Sequence, residues 1–169
     1  LAKAAETGSY HAIEEADIAA WAAPAPLALI FSNAALHWLD DHQRLFPRLF
    51  AAVATGGVLA VQMPNQFAAP SHTTLSELAD APHWRTLLAP AVRDIPVAPL
   101  AAYYEWLAPQ ARAIDAWTTE YLHVLPAGDD GEHPVLAWTR GTALTPFLAL
   151  LDGEGQRGFL DDYRACLEA

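Results

Sequence analysis

The chain has 169 residues, 53% of them hydrophobic, which is one domain of ordinary size with enough apolar material for a core. Nine basic residues face twenty acidic ones, for a net charge of −11, and no Lys/Arg run occurs, so neither nucleic acid nor an anionic membrane surface is expected as a partner. The single cysteine, Cys166, excludes an intrachain disulfide and a Cys-only metal site and fits a reducing cytoplasm.

No stretch is apolar over membrane-spanning length, and the first residues do not read as a signal peptide. Leu1–Glu6 (LAKAAE) reads as the last turn of a helix, stopped at Gly8 by a left-handed C-cap. Tyr10–Glu15 predicts a short strand, and Trp21–Pro26 a Pro/Ala linker. Leu27–Phe31 and Val58–Val61 are short and uncharged, the pattern of strands buried on both faces of a parallel sheet. Between them Leu39, Leu45, Phe46, Leu49, Phe50 and Val53 recur at helical spacing. Asp40 or Asp41 is expected to cap this helix with its side chain. Pro47 is expected to delay or kink it, and Thr55-Gly56-Gly57 to end it. The result is a strand–helix–strand crossover whose first strand ends at Asn33–Trp38. Ligands bind at that edge of open α/β sheets.

After Asn65 the character changes. Ser71–Asp80 predicts a helix capped by Ser71, Pro82–Leu88 another, and residues 95–99 a connector. Ala101–Leu107 is short and aromatic-rich. Asp115–Leu125 (DAWTTEYLHVL) carries the β-branched and aromatic residues of a strand returning to the sheet. Residues 129–133 form a polar loop, Val135–Thr139 and Pro146–Leu151 read as helical, and Gly158–Leu167 as an amphipathic final helix. A doubly wound sheet needs strands before Tyr10 and a closing strand after the last helix. Neither is in the sequence, so a part of a longer protein is expected.

Several constellations compete. Gly153–Gly158 (GEGQRG) matches the dinucleotide fingerprint literally, but the motif works only between a strand and a helix. Here it follows a helical segment, so an interhelical loop is expected. His37, beside a strand end, is either a titrating catalytic group or a helix-entry histidine with a structural hydrogen bond. No Ser/His/Asp triad or nucleophile elbow occurs, and the scattered histidines form no metal-binding pair. Arg140, in Trp138-Thr139-Arg140-Gly141-Thr142, suits bidentate binding of a carboxylate or pairing to a local acid.

Five segments in order resemble class I S-adenosylmethionine-dependent methyltransferases, and more narrowly the trans-aconitate methyltransferase family. They are Glu15–Trp21 (EADIAAW), Leu29–Leu39 (LIFSNAALHWL), Gly56–Asn65 (GGVLAVQMPN), Trp117–Tyr121 (WTTEY) and Trp138–Thr142 (WTRGT). The resemblance implies an α/β fold: a Rossmann-like sheet with helices on both faces plus a helical substrate cap, with the first two strands and the final strand outside the chain. It assigns 1–65 to the donor-binding core, 66–114 to a helical cap and connector, 115–125 to a returning core strand and 126–169 to the substrate cap. The family's Gly-rich loop and its ribose-binding acidic residue would precede Leu1.

For the cofactor, S-adenosylmethionine, the resemblance implies that Asp17 accepts from the adenine amino group, unless it is only a helix cap, and that Ile18 packs on the ring. Asn33 and Ala34 would line the methionine end. His37 and Trp38 would face the transferring methyl group or the acceptor, and Gln62, Asn65, Tyr104, Tyr121, Trp138 and Arg140 the substrate wall. Where relatives often carry Lys, this chain has Arg140. The implied reaction is O-methylation of a small polycarboxylic acid to a methyl ester, without metal, in a cytoplasmic monomer or weak homo-oligomer. A carboxylate is ionised at neutral pH and needs no base. Rival readings are methylation of another small acceptor with His37 as base, or an inert fragment or binding module.

Overall fold

The structure is a computed structural model that describes residues 2–92, 97–126 and 131–169. It begins with the short helix α1 (Ala2–Glu6), and Gly8 follows at φ +63, as its C-cap position requires. Residues 12–17 form no regular element, so the strand expected at Tyr10–Glu15 is absent. Those residues are exposed and pair with no neighbouring strand, so alternation alone does not hold them extended.

The crossover forms as its apolar pattern dictates. Strand β1 (Leu27–Asn33) leads through a 3-10 turn (Leu36–Trp38) into helix α2 (His42–Ala51), which returns to strand β2 (Val53–Gln62). The two strands are parallel and make a two-stranded sheet among the described residues. Together these elements make a mixed α/β chain. Leu45, Phe46 and Leu49 of α2 are buried with Leu36, and Leu59 and Val61 of β2 pack against them. The opposite face of the sheet is open: Leu29, Val58 and Phe31, the last 69% exposed, lie on it. Burial on both faces is therefore not found among the described residues.

The caps differ from expectation in detail. Asp41 is the N-cap of α2, but at φ 53 and without a side-chain cap bond; its backbone carbonyl accepts from Arg44 and Leu45. Pro47 lies inside α2 and neither delays its start nor ends it. The glycines do not end the helix either. α2 stops at Ala51, and Gly56-Gly57 sit inside β2, where pairing jumps from Leu27↔Val53 to Leu29↔Val58. Gly56 has φ +80, and a Cβ on Gly57 would lie 2.7 Å from the Ala28 carbonyl oxygen. The sharp offset needs one glycine for its dihedral and the other for space.

Helices α3 (Pro70–Ala79), α4 (Arg85–Leu88), α5 (Leu100–Leu107), α6 (Pro134–Arg140), α7 (Thr145–Leu148) and α8 (Gly153–Glu168), with a second 3-10 turn (Ala89–Ala91) after α4, complete the described elements. α3 starts at Pro70 after the N-cap Ala69, so Ser71 is not its cap. Pro70 is suited to the first helical position because its missing N–H has no partner to lose there. α8 starts well before Gly158 and takes in the GEGQRG stretch, with Asp152 Oδ1 accepting from the Gly155 N–H at 2.8 Å. That stretch is a capped helix start, not a loop. The strand expected at Asp115–Leu125 is also absent: the segment has no regular structure, and Leu122 is 92% exposed. Strand propensity becomes a strand only where inter-strand pairing forms, and among the described residues β1 and β2 pair only with each other. Residues 95–96 of the connector and 129–130 of the polar loop lie outside the described residues.

The chain divides into two compact units, Leu1–Met63 with Pro96–Ala116, and Pro64–Ile95 with Trp117–Ala169. The first contains the crossover and α5. The second is helical, with α3 and α6 packed on α8 around Leu75, Leu136, Phe159 and Tyr163. Tyr163 is fully buried, and its hydroxyl donates to the Ser71 carbonyl at 2.8 Å. No helix among the described residues is long and apolar enough to cross a membrane.

Candidate functional site

The carboxyl end of β1 is built from backbone outward. Asn33 is its last residue and pairs with Gln62. Ala34 then turns into the left-handed region at φ 50, and its N–H donates to the Gln62 carbonyl at 2.9 Å. A non-glycine residue there is strained by about 1 kcal/mol, and the hydrogen bond holds it. The 3-10 turn follows, with Leu36 buried in the core, His37 8% exposed and Trp38 half exposed. The His37 and Trp38 rings lie 4.8 Å apart. His37 Nδ1 is buried without a hydrogen-bond partner in the protein. Burial first, and His42 second, push the His37 pKa below the usual histidine value. Near neutral pH this imidazole is uncharged, and its unpartnered Nδ1 is closed to solvent.

Two supports hold this edge. His42, in the first turn of α2, bridges Tyr103 of α5 through Nδ1 (2.7 Å) and the Leu36 carbonyl through Nε2 (2.9 Å). Arg48 of α2 donates to the carbonyls of Ile18 (2.7 Å) and Trp21. Asp17 sits in the turn so held: its Oδ1 accepts from the Ala19 N–H at 2.9 Å, and its carbonyl accepts from Ala20 and Trp21. The Asp17 and Ile18 side chains are exposed on it.

The expected site residues thus fall into two groups. Asp17, Ile18, Asn33, Ala34, His37, Trp38, Gln62 and Tyr104 belong to the first unit, and Asn65, Tyr121, Trp138 and Arg140 to the second. Within the first, the strand ends bring Asn33, Ala34 and Gln62 together, with His37 and Trp38 close behind in sequence. Tyr104 is exposed on α5. In the second, Arg140 pairs with Glu132, the local acid that the sequence left as one of two possibilities. Trp138 lines a cavity of ≈ 300 Å³ with Ser71, His123, Leu125, His133 and Val135. Tyr121 is exposed and contacts His123 ring to ring at 6.4 Å. Asn65 is exposed. No group of three or more potential metal ligands occurs among the described residues.

His42, Tyr103 and Arg48 escaped the sequence. His42 carried a signal, since it falls on the same helical face as Leu45, Phe46 and Leu49. Tyr103 would have followed from reading Leu100–Leu107 as a helix, whose buried face takes Tyr103 and turns Tyr104 to solvent. Arg48 carried none.

No family model matches the chain. Three relatives named trans-aconitate 2-methyltransferase align over most of it. The protein of Paracidovorax citrulli is 42% identical over 159 residues, 92% of this chain and 59% of the relative. That of Streptomyces coelicolor is 43% identical over 157 residues, 91% of this chain and 50% of the relative. That of Yersinia pseudotuberculosis serotype O:1b is 38% identical over 169 residues, 99% and 64%. The chain resembles trans-aconitate 2-methyltransferases, and it spans about half to under two thirds of their length.

Proposed function

We propose that this chain is part of an S-adenosylmethionine-dependent methyltransferase of the Rossmann-like class that esterifies a carboxylate of a small polycarboxylic acid related to trans-aconitate. The observation that carries the reading is the end of β1, where the left-handed Ala34 leads into a turn holding a buried, unpartnered His37 Nδ1 beside Trp38. An orphaned buried nitrogen costs about 1–3 kcal/mol unless a ligand pairs with it. That fits a site made to be filled.

The residues present suit the donor. Asp17 offers an exposed carboxylate for an exocyclic amine, Ile18 an apolar side chain for a ring, and Ala34 a small one for close approach. When bound, S-adenosylmethionine supplies an activated methyl group with its own leaving group. The acceptor carboxylate is already ionised near neutral pH, so no residue has to remove a proton. The task left to His37 and Trp38 is to orient the carboxylate oxygen and exclude water, which is where alignment gains rate. Gln62, Asn65, Tyr104, Tyr121, Trp138 and Arg140 are proposed as the acceptor's wall, with Arg140 on a carboxylate remote from the one attacked. The first compact unit is proposed as part of the donor-binding core and the second as the cap.

A second reading has its own support. An uncharged His37 with a free Nδ1 could take a proton from a phenol or amine acceptor. Incubating the intact protein with methyl-labelled donor and a panel of di- and tricarboxylic acids separates the two. Label released as methanol by mild base marks an ester. Base-stable label would overturn the carboxylate reading in favour of the second.

A further inference from the structure

The His42–Tyr103 pair is buried, polar and unused by the reaction just described. Its hydrogen bonds run in one direction. The Ala98 N–H donates to the Tyr103 hydroxyl oxygen at 3.1 Å, which directs the phenolic hydrogen to His42 Nδ1 at 2.7 Å. A carbonyl oxygen only accepts, so His42 Nε2 carries the hydrogen donated to Leu36 at 2.9 Å. Leu36 also accepts from the Leu39 N–H at 3.0 Å, so both lone pairs of its carbonyl are occupied. Packing locks the pair from the sides: Phe46 lies 5.3 Å from His42 and 4.6 Å from Tyr103, ring to ring, and Trp106 lies 5.0 Å from Tyr103.

Leu36 immediately precedes His37. Its side chain is held by the core and its carbonyl by His42, so the peptide from which His37 and Trp38 depart is fixed on both sides. We propose that His42 and Tyr103 are positioning residues for the His37–Trp38 turn, with Tyr103 setting the His42 ring and His42 setting the Leu36 carbonyl. Neither touches the reactants. The proposal rests on the reading that His37 and Trp38 face the methyl acceptor, and it adds the requirement that their angle is set from α2 and α5.

Three variants of the intact protein test it. Tyr103→Phe keeps the ring and removes the hydroxyl. His42→Asn removes the reach to Leu36. His42→Gln places an amide nitrogen near the lost Nε2 and can restore that bond. The readouts are the His37 imidazole resonances, identified by their loss in His37→Gln, donor affinity by calorimetry, and turnover at saturating acid. Tyr103→Phe and His42→Asn are expected to shift the His37 resonances and slow turnover roughly tenfold or more, with donor affinity within about twofold, because the Asp17 turn is held elsewhere. His42→Gln is expected to return most of both signals. Unmoved His37 resonances in folded His42→Asn, or equal damage from Gln and Asn, would overturn the proposal. A fall in donor affinity that parallels turnover would also overturn it, since that marks general loosening. If the wild-type protein esterifies no acid, the methyl-transfer reading fails, and the resonance comparison alone still decides the positioning role.

Discussion

Arg48 and Ile18 are thirty residues apart in sequence, and the Arg48 guanidinium donates to the Ile18 carbonyl at 2.7 Å while its other terminal nitrogen bonds Trp21. One side chain of the crossover helix thereby closes the turn that presents Asp17. That turn has no regular secondary structure to hold it; Arg48 and the packing of Trp21 against the core of the first unit tie it down.

Arg48→Ala is expected to lose about 1 kcal/mol of stability, a modest figure because the bond to Ile18 is exposed. If this turn holds the adenine end as proposed, donor affinity is expected to fall further, roughly tenfold. Arg48→Lys should recover little, since one ammonium cannot span both carbonyls as the fork does. Urea denaturation and calorimetry with the donor read the two effects separately. Unchanged donor affinity would remove the Asp17 turn from the binding site.

The two glycines of β2 are expected to respond differently to alanine. At Gly57 a Cβ meets the Ala28 carbonyl oxygen at 2.7 Å and Val53 Cγ1 at 2.8 Å, so backbone must move. Gly57→Ala should cost about 1–3 kcal/mol, as overpacking does. At Gly56 a Cβ meets nothing within 4 Å, and only its φ of +80 is strained. Gly56→Ala should cost about 1 kcal/mol. Denaturation midpoints of the two variants give the ranking directly.

These glycines also show what the sequence could carry. The apolar recurrence from Leu45 to Leu49 announced the helix, because that signal is local, whereas Gly56-Gly57, expected to end the helix, serve the offset of β2 against Ala28 of β1. Where the signal depended on a distant partner, it failed. Residues 115–125 have strand composition but pair with no strand among the described residues, and the side chains of Leu29 and Phe31 are exposed. Asp41 was placed at the helix start by its type, yet its side chain makes no cap bond, because its backbone is in the left-handed region. Residue type singled out His37 in the sequence. The hydrogen bonds that tie down the Leu36 carbonyl before it, through His42 and behind it Tyr103, join positions that no spacing rule links.

Ala34 offers a test of strain at the same edge. Its φ of 50 favours glycine. Ala34→Gly is expected to raise stability by up to about 1 kcal/mol, the relieved strain offset by the greater freedom of glycine when unfolded. Ala34→Val should lower it by about 1 kcal/mol or more, because a β-branched side chain crowds a left-handed backbone further. If the edge cradles the donor closely, Val should also weaken donor binding beyond its stability loss. Equal donor affinity in Gly, Ala and Val variants would count against close approach there.

His37 links pH to stability. Its folded pKa lies below the ordinary value of about 6.5. The unfolded chain therefore binds the proton more readily, and unfolding is favoured as pH falls from about 6.5 toward the lowered value. The stability tied to an uncharged His37 is complete above that window and lost through it. His72, also lowered by burial, contributes with the same sign. Replacing His37 by Gln should flatten part of the slope and leave the His72 part. Turnover of the folded protein separates the two chemical readings: esterification should stay flat through the window, while a His37 base would make the rate fall as pH drops into it.

Arg140 and Glu132 are paired, so a substrate carboxylate that uses this guanidinium has to share it. The arrangement makes two opposite predictions for two neighbouring substitutions. If Arg140 holds a remote carboxylate as proposed, Arg140→Ala should raise KM for a tricarboxylic acid about tenfold, with kcat within about twofold, because such a contact is the same in ground and transition states. Glu132→Gln removes the competitor and should lower KM for the same acid. A monocarboxylic acid, with no remote group to hold, should respond to neither change. Steady-state kinetics with the two acids and both variants complete the comparison. If Arg140→Ala lowers kcat as much as kcat/KM for both acids, the guanidinium acts on the reacting centre or on the packing of α6. If KM for the tricarboxylic acid stays constant, Arg140 is a surface residue paired to Glu132 and the remote carboxylate is held elsewhere.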